Sequence, residues 1–328
     1  MFDIQRGANI IIDNWVRLKP WQKLLIVTSS EHVDEAEALR SAALRKSSHA
    51  EIMLVENSGI KTGAYFDEHG DAFLAHDVII GATDYSLVTT KAVKNAIARH
   101  KGYLSLPLST TDGIPMLSYD FLTMDTKKSK LFAQVIMRYL NPSSFVRVTT
   151  PNGTDLRFSK RNRPAGFFNG VISDGNGYSS SSIEVYIPIE ETKTEGTMVV
   201  DASLGYIGKA DEPTALSIEH GKITGIEGTP TGRRLESYIE SYHDDRVRVA
   251  GELGIGLNSK SRCAGTCYIE DESTYGTFHI GFGRNLALGG IHEASGHFDL
   301  VCDAPDIYVD NRQIMSKGRI ITPEPEVY

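Results

Sequence analysis

A chain of 328 residues, 41% of them hydrophobic, exceeds what one core usually organises, so two domains are expected. A net charge of −8 argues against nucleic-acid binding, which needs a basic face, and no apolar run approaches the length of a membrane span. Three cysteines, Cys263, Cys267 and Cys302, give no disulfide framework. The N-terminus MFDIQRGANIII carries an early acid and no cleavage-site pattern. A reducing, cytoplasmic setting is the expectation.

Residues 3–17 place Ile4, Ala8, Ile11 and Trp15 at helical spacing, an amphipathic helix. Lys23–Thr28 is a short apolar run that reads as a buried parallel strand. A helix over 31–47 follows, then strands at Glu51–Val55 and Asp77–Gly81, a helix over 89–100 and a strand at Tyr103–Leu106. Alternating strand and helix predicts an open α/β sheet. Ser29-Ser30-Glu31 stands where a glycine-rich phosphate loop would follow the first strand, which argues against a dinucleotide site. A helix over 125–140 closes this α/β domain, and Asn141-Pro142 marks its end, so the expected domains are 1–142 and 143–328. The second is strand-rich α+β, with strands at 145–150, 155–158, 183–187, 197–201, 215–219 and 222–226. The basic cluster Ser159–Arg163 reads as a solvated loop, and Ser179–Ser182 as a short polar loop.

The chemistry lies in the second half. Glu184, Glu252, His279, His297 and Asp299 sit in short, glycine-rich, strand-like segments. Residues i and i+2 of a strand share a face, so His297 and Asp299 can reach one ion together. Glu184 lies among β-formers in Ile183–Ile187, where a buried carboxylate needs a partner. Imidazole and carboxylate without thiolate suit Zn, Mn, Co or Fe(II) better than a structural zinc knot. Cys263-x-x-x-Cys267 has no second pair to complete a zinc site. Asp271-Glu272 is expected to orient ligands or solvate a turn. His292 reads as a neighbour of the site or as exposed, and His243 as surface charge. Arg284 is a candidate anchor for a substrate carboxylate through its planar fork, with a structural ion pair as the competing reading.

In chain order the flanks run GTMVVD, ALSIEHGKITGIEG, GELGIGLN with Glu252, DESTYGTFHIGFGRN with His279, GGIHEASGHFDL with His297 and Asp299, and DIYVDNRQI. Over roughly residues 145–325 this resembles the aminopeptidase T (peptidase family M29) superfamily. The resemblance implies that Glu184, Glu252, His279, His297 and Asp299 are metal ligands. It further implies two divalent cations (Zn, Co or Mn) that activate water for amide-bond cleavage, with Glu252 or Glu184 as the catalytic carboxylate. A family tyrosine shortly after the position of His279 is replaced here by Leu286, and the loop between His279 and His297 is shorter.

Compact length and the ending, DIYVD followed by a run from Lys317-Gly318 to Pro323-Glu324, are similar to the oxidative branch of that superfamily, the 2,5-dihydroxypyridine 5,6-dioxygenases. Those enzymes hold one Fe(II), keep the H-x-D pair and place a His where this chain has Glu252. The ligand set favours the hydrolase, with the Fe(II) ring-cleaving dioxygenase as the alternative and a member repurposed for one biosynthetic peptide as a third possibility. The expected substrate is a small peptide or other small molecule, and the expected assembly a homodimer or higher homo-oligomer.

Overall fold

The computed structural model describes residues 3–175 and 177–321. In chain order the longer helices are α1 (Ile4–Ile10), α2 (Val33–Leu44), α3 (Ala64–Glu68), α4 (Lys91–Ala98), α5 (Thr126–Leu140), α6 (Pro230–Ser241) and α7 (Tyr268–Ser273). The chain divides into two compact units, Met1–Thr126 with Phe168–Ser182, and Lys127–Phe167 with Ile183–Tyr328. A single boundary at 142/143 is therefore corrected in two ways. Nearly all of α5 belongs to the second unit, and residues 168–182 return to the first.

The first unit is built on β1 (Leu24–Thr28), β2 (Ala50–Leu54), β3 (Val78–Ala82) and β4 (Gly102–Ser105), joined at the edge by β8 (Tyr178–Ser180). All pair in parallel, in the order β2-β1-β3-β4-β8. Every residue of β1 and β3 is buried, as central strands covered on both faces require. Leu25, Val27, Ile79 and Tyr103 pack with Phe66, Phe73, Leu87 and Val93 into one core. The expected helix over 3–17 forms as α1 and then a wider π-turn at Ile11–Val16, which buries Ile11, Ile12 and Trp15. The serine run, expected as a short polar loop, begins in strand β8. Ser179, Ser181 and Ser182 are buried, and Ser181 donates its backbone N–H to the Ser105 carbonyl, because the segment completes the sheet.

The second unit contains the remaining strands, apart from Phe168 at the end of β7. They are β5 (Phe145–Thr149), β6 (Asp155–Ser159), β7 (Gly166–Phe168), β9 (Glu184–Pro188), β10 (Glu195–Val200), β11 (Thr214–Glu219), β12 (Lys222–Ile226), β13 (Ala250–Gly256), β14 (Thr277–Gly283), β15 (His297–Asp303), β16 (Asp306–Val309), β17 (Arg312–Ser316) and β18 (Arg319–Ile320). They make an eight-stranded sheet, β12-β11-β10-β6-β5-β16-β17-β18, and a five-stranded sheet, β15-β14-β13-β9-β7. The Pro323-Glu324 end of the terminal run lies outside the described residues. Helix α6 starts where Thr229 accepts from the Gly232 N–H, with Pro230 just inside. It sets Tyr238 and Tyr242 against Phe298, which stacks on Phe282.

The basic cluster at 159–163 is also corrected. Lys160 is fully buried and donates from Nζ to the carbonyls of Ser143 (2.9 Å) and Asn141 (3.4 Å). Arg163 forms a fork with the Glu191 carboxylate, at 2.7 and 3.0 Å. Both cations tie the strand-rich unit together. Lys160→Met is expected to leave the buried Ser143 carbonyl without a donor and to lower stability by roughly 1–3 kcal/mol. Thermal unfolding measured by calorimetry checks this, and an unchanged midpoint counts against a structural role for the ammonium.

Candidate metal centre

The five-stranded sheet brings the site together through register and glycine. Directly paired residues of antiparallel strands point to one face, as do residues i and i+2 along a strand. Asp299 pairs with Gly281, which pairs with Glu252. His297 pairs with Gly283, His279 with Gly254, and Gly256 with Glu184. A bulge between Ala250 and Glu252 sets β13 into this register. All five expected ligands therefore share one face, each beside a glycine on the neighbouring strand. Those glycines are required for space. A Cβ on Gly254 would lie 1.9 Å from His279 Nε2 and 2.7 Å from Glu184 Oε2. A Cβ on Gly281 would lie 2.7 Å from His297 Cε1, 2.8 Å from Asp299 Oδ1 and 2.8 Å from Glu252 Oε2.

Into this cradle the donor atoms converge. His279 Nε2 lies 2.9 Å from Glu184 Oε2 and 3.9 Å from Asp299 Oδ1. His297 Nε2 lies 3.2 Å from Glu252 Oε2 and 3.3 Å from Asp299 Oδ1. His297 Nδ1 is 3.0 Å from the Arg284 carbonyl, so a proton there leaves Nε2 as the donor atom toward the carboxylates. Asp299 Oδ2 accepts from the Tyr268 hydroxyl at 2.7 Å. Three groups of potential ligand atoms lie within 4.8 Å of one another: Glu184, Glu252 and His279; Glu252, His297 and Asp299; Glu272, His279 and Asp299.

The titration behaviour follows from burying so many like charges. Burial raises the Glu252 carboxyl to about 7, the His297 hydrogen bond opposing and the Glu184 charge adding to the rise. Burial lowers the His279 imidazole, but the carboxylates of Glu184, Asp299 and Glu272 together lift the group to about 10. His297 is likewise held well above the usual imidazole range, by Asp299 foremost, against the opposing effect of burial. Asp299 goes the other way: burial opposes ionisation, but His297 holds its carboxyl below the ordinary carboxylate value. Glu272 is raised well above that value by burial and by the Asp299 and Glu184 charges.

These features fit a divalent cation. Asp299 Oδ1 is buried and faces two imidazoles without a well-aligned hydrogen bond to either. The donor set is oxygen and imidazole nitrogen alone, and the glycines keep the space between the donors clear. A bound cation would take the place of the protons that the carboxylates otherwise retain on the imidazoles.

Other expected residues fall elsewhere. Arg284 Nε lies 3.4 Å from the exposed Glu293 carboxylate, while the Arg284 carbonyl orients His297. His292 Nε2 meets the Arg246 carbonyl at 2.8 Å and stands outside the donor groups. His243 is exposed. Cysteines join none of the donor groups among the described residues. Asp271 is buried rather than solvated and accepts from Ser203 Oγ and the Gly265 N–H. Leu286 sits on a short 3-10 turn, whereas the hydroxyl that reaches the cluster comes from Tyr268. Glu272, expected only to orient ligands or solvate a turn, joins a donor group with His279 and Asp299, and Tyr268, which donates to Asp299, was not singled out from sequence. The available signal was their spacing of four on the short helix that precedes His279.

The family model for 2,5-dihydroxypyridine 5,6-dioxygenase matches residues 121–322. A 2,5-dihydroxypyridine 5,6-dioxygenase from Pseudomonas putida is 30% identical over 146 residues, 41% of this chain and 41% of that relative, so the matched segment spans less than half of either. The fold is similar to the structure of a 2,5-dihydroxypyridine dioxygenase from P. putida, with a TM-score of 0.80, 19% identity and coverage of 98% and 97% of the two chains. It is also similar to wild-type AmpT from Thermus thermophilus, with a TM-score of 0.69, 15% identity and coverage of 97% and 98%.

The glycine argument is directly testable. Gly281→Ala should weaken metal binding by about 10- to 100-fold, the scale seen when ligand orientation is disturbed. Gly228→Ala, whose Cβ meets nothing within 4 Å, should bind as the unmodified protein does. Calorimetric titration with Zn²⁺ reads both, and equal affinity for the two variants would show that Gly281 does not shape the site.

Proposed function

The chain belongs to the 2,5-dihydroxypyridine 5,6-dioxygenase family, and within it we propose a metal-dependent enzyme whose pocket holds two divalent cations and hydrolyses an amide bond. The observation that carries this reading is the separation of the imidazoles. His279 and His297 never fall in one donor group among the described residues, and Glu252 and Asp299 each connect a His279 group with a His297 group. A single Fe(II) of the usual oxygenase kind needs two imidazoles and one carboxylate on one ion. Two positions sharing carboxylates use every donor that the sheet supplies.

When bound, such cations polarise a carbonyl and lower the pKa of a coordinated water. The rest falls to the chain itself. Glu252 stands between two donor groups, and Glu184 lies within 2.9 Å of His279. These are the carboxylates placed to accept a proton from water and pass it to a leaving amine. Tyr268 holds Asp299 from the side opposite its imidazole neighbours. Arg284 is retained as the proposed anchor for a substrate carboxylate. A small peptide or other small molecule is the proposed substrate, and a homodimer the proposed assembly. No helix among the described residues is long and apolar enough to cross a membrane.

A second reading is a ring-cleaving dioxygenase with one Fe(II). The family match and the P. putida relative support it more than they support a hydrolase. The group Glu252, His297 and Asp299 is the one that would hold its ion. What supports the hydrolase is the donor set, because chemistry follows the site rather than the fold.

Protein purified without chelator should carry two Zn, Mn or Co per chain by elemental analysis and release amine from aminoacyl amides. One iron per chain with substrate-dependent oxygen uptake decides for the second reading. His297→Ala and Asp299→Ala should each lose bound metal and activity while keeping the circular dichroism of the folded chain. Wild-type metal content and rate in either variant would place the site elsewhere.

A further inference from the structure

The connection from β14 to β15, residues 284–296, holds one short 3-10 turn, Leu286–Leu288, and no other regular element. Its backbone has a task all the same. The Arg284 carbonyl lies 3.0 Å from His297 Nδ1. A carbonyl can only accept, so the proton sits on Nδ1, and Nε2 is turned toward Glu252 and Asp299. The acid that fixes this connection follows β9 and stands outside the donor groups. Glu191 Oε1 accepts from Arg163 Nη1 at 3.0 Å, from Asn285 Nδ2 at 2.9 Å and from the Ile291 N–H at 2.9 Å. Its Oε2 accepts from Arg163 Nη2 at 2.7 Å. Asn285, next to Arg284 in the chain, is fully buried. It also donates to the Gly251 carbonyl at 3.0 Å and accepts from the His292 N–H at 2.9 Å.

We infer that Glu191 is the positioning residue of His297: its carboxylate holds Asn285 and Ile291, and through them the Arg284 carbonyl that orients the imidazole. The consequence for metal binding rests on the metal-centre reading above; the geometry does not. An arginine–glutamate pair that served stability alone would need neither Asn285 nor the Ile291 N–H. The Ile291 side chain is 78% exposed, so no apolar burial draws this residue inward, and its N–H is turned to the carboxylate instead. Asn285 is wedged in place: a Cβ on Gly290 would lie 2.1 Å from its Cγ, and one on Gly251 would lie 3.0 Å from its Cβ. Its neighbour Arg284 is held from the other side, where the Arg284 N–H donates to the Gly296 carbonyl at 2.8 Å. A carboxylate is required at position 191 because every group facing it is a donor. A glutamine there would turn its own N–H groups against one of these donors and leave that donor unpaired.

The test is the Nδ1–H proton resonance of His297 in full-length, metal-stripped protein labelled with ¹⁵N-histidine, assigned by its loss in His297→Ala. In Glu191→Gln this resonance should move upfield and exchange faster with solvent, as a hydrogen bond to the Arg284 carbonyl is lengthened. Calorimetric titration of the same variant with Co²⁺ should show affinity lower by about 10- to 100-fold. An unmoved resonance in folded Glu191→Gln overturns the proposal. Should that variant fail to fold, Asn285→Ala, which leaves the Arg163 pair in place, decides alone, and an unmoved resonance there is equally fatal. Leu216→Ala opens a cavity in the eight-stranded sheet and should lower the unfolding midpoint while leaving the resonance in place. An equal shift in Leu216→Ala would assign the effect to lost stability and overturn the proposal too. A wild-type protein that binds no Co²⁺ overturns the metal-centre reading but leaves the resonance as the measure of Glu191.

Discussion

The structure depends on one electrostatic constraint: three carboxylates and two imidazoles on a single face of one sheet are gathered with a fourth carboxylate from helix α7, away from bulk water. Glu184, Glu252, Glu272 and Asp299 are each under 5% exposed. Without compensation such a cluster opposes folding, because each ion loses its hydration and repels the others. The opposite directions within the cluster express this. Glu252 and Glu272 are driven toward the protonated form, while Asp299, nearest to both imidazoles, is driven toward the ionised form.

The rest of the second unit reads as the means of holding that cluster still. Gly254 on β13 and Gly281 on β14 leave out side chains that would separate the donors. The opposite face of the same strands is apolar, with Phe278, Ile280, Phe282, Phe298 and Leu300 fully buried. Helix α6 covers part of that face through Tyr238 and Tyr242. Beyond β14, Glu191 accepts from Arg163, from Asn285 Nδ2 and from the Ile291 N–H. That carboxylate is held down to about 2 by these donors although burial opposes ionisation. It pins the connection from β14 toward β15, and with it the Arg284 carbonyl that orients His297. Ligand geometry is thus set by backbone register and packed apolar surface rather than by mobile loops.

Much of this was legible in the sequence because it is local. The alternating strands and helices of the first unit follow from short apolar runs and periodicity, and the i, i+2 rule places His297 beside Asp299. Period-two spacing also leads from Glu252 to Gly254 and Gly256, and from His279 to Gly281 and Gly283. The misreadings concern partners distant in sequence. Ser179–Ser182 looks like a polar loop because nothing local shows that β4 pairs with it. Lys160 looks solvated because its acceptors, Ser143 and Asn141, are 17 and 19 residues away. Glu272 looks like a turn acid because a six-residue helix carries little periodic signal, and its neighbours come from two other strands. The domain boundary moves because a continuous cut in sequence cannot express a chain that crosses between two units more than once.

Fold similarity does not decide between one ion and two, since the same architecture is shared with a dioxygenase and with AmpT. Charge does bear on it. With four carboxylates ionised the cluster carries −4, and with the imidazoles neutral as ligands two divalent cations bring +4. One divalent ion supplies +2 and leaves two carboxylates that must either keep protons or stay repelled. The raised groups, Glu252 and Glu272, are the two that would keep them. Glu252 connects two donor groups, so a proton on it would occupy the atom best placed to be shared between ions. The number of cations and the protonation of these two glutamates are therefore a single question.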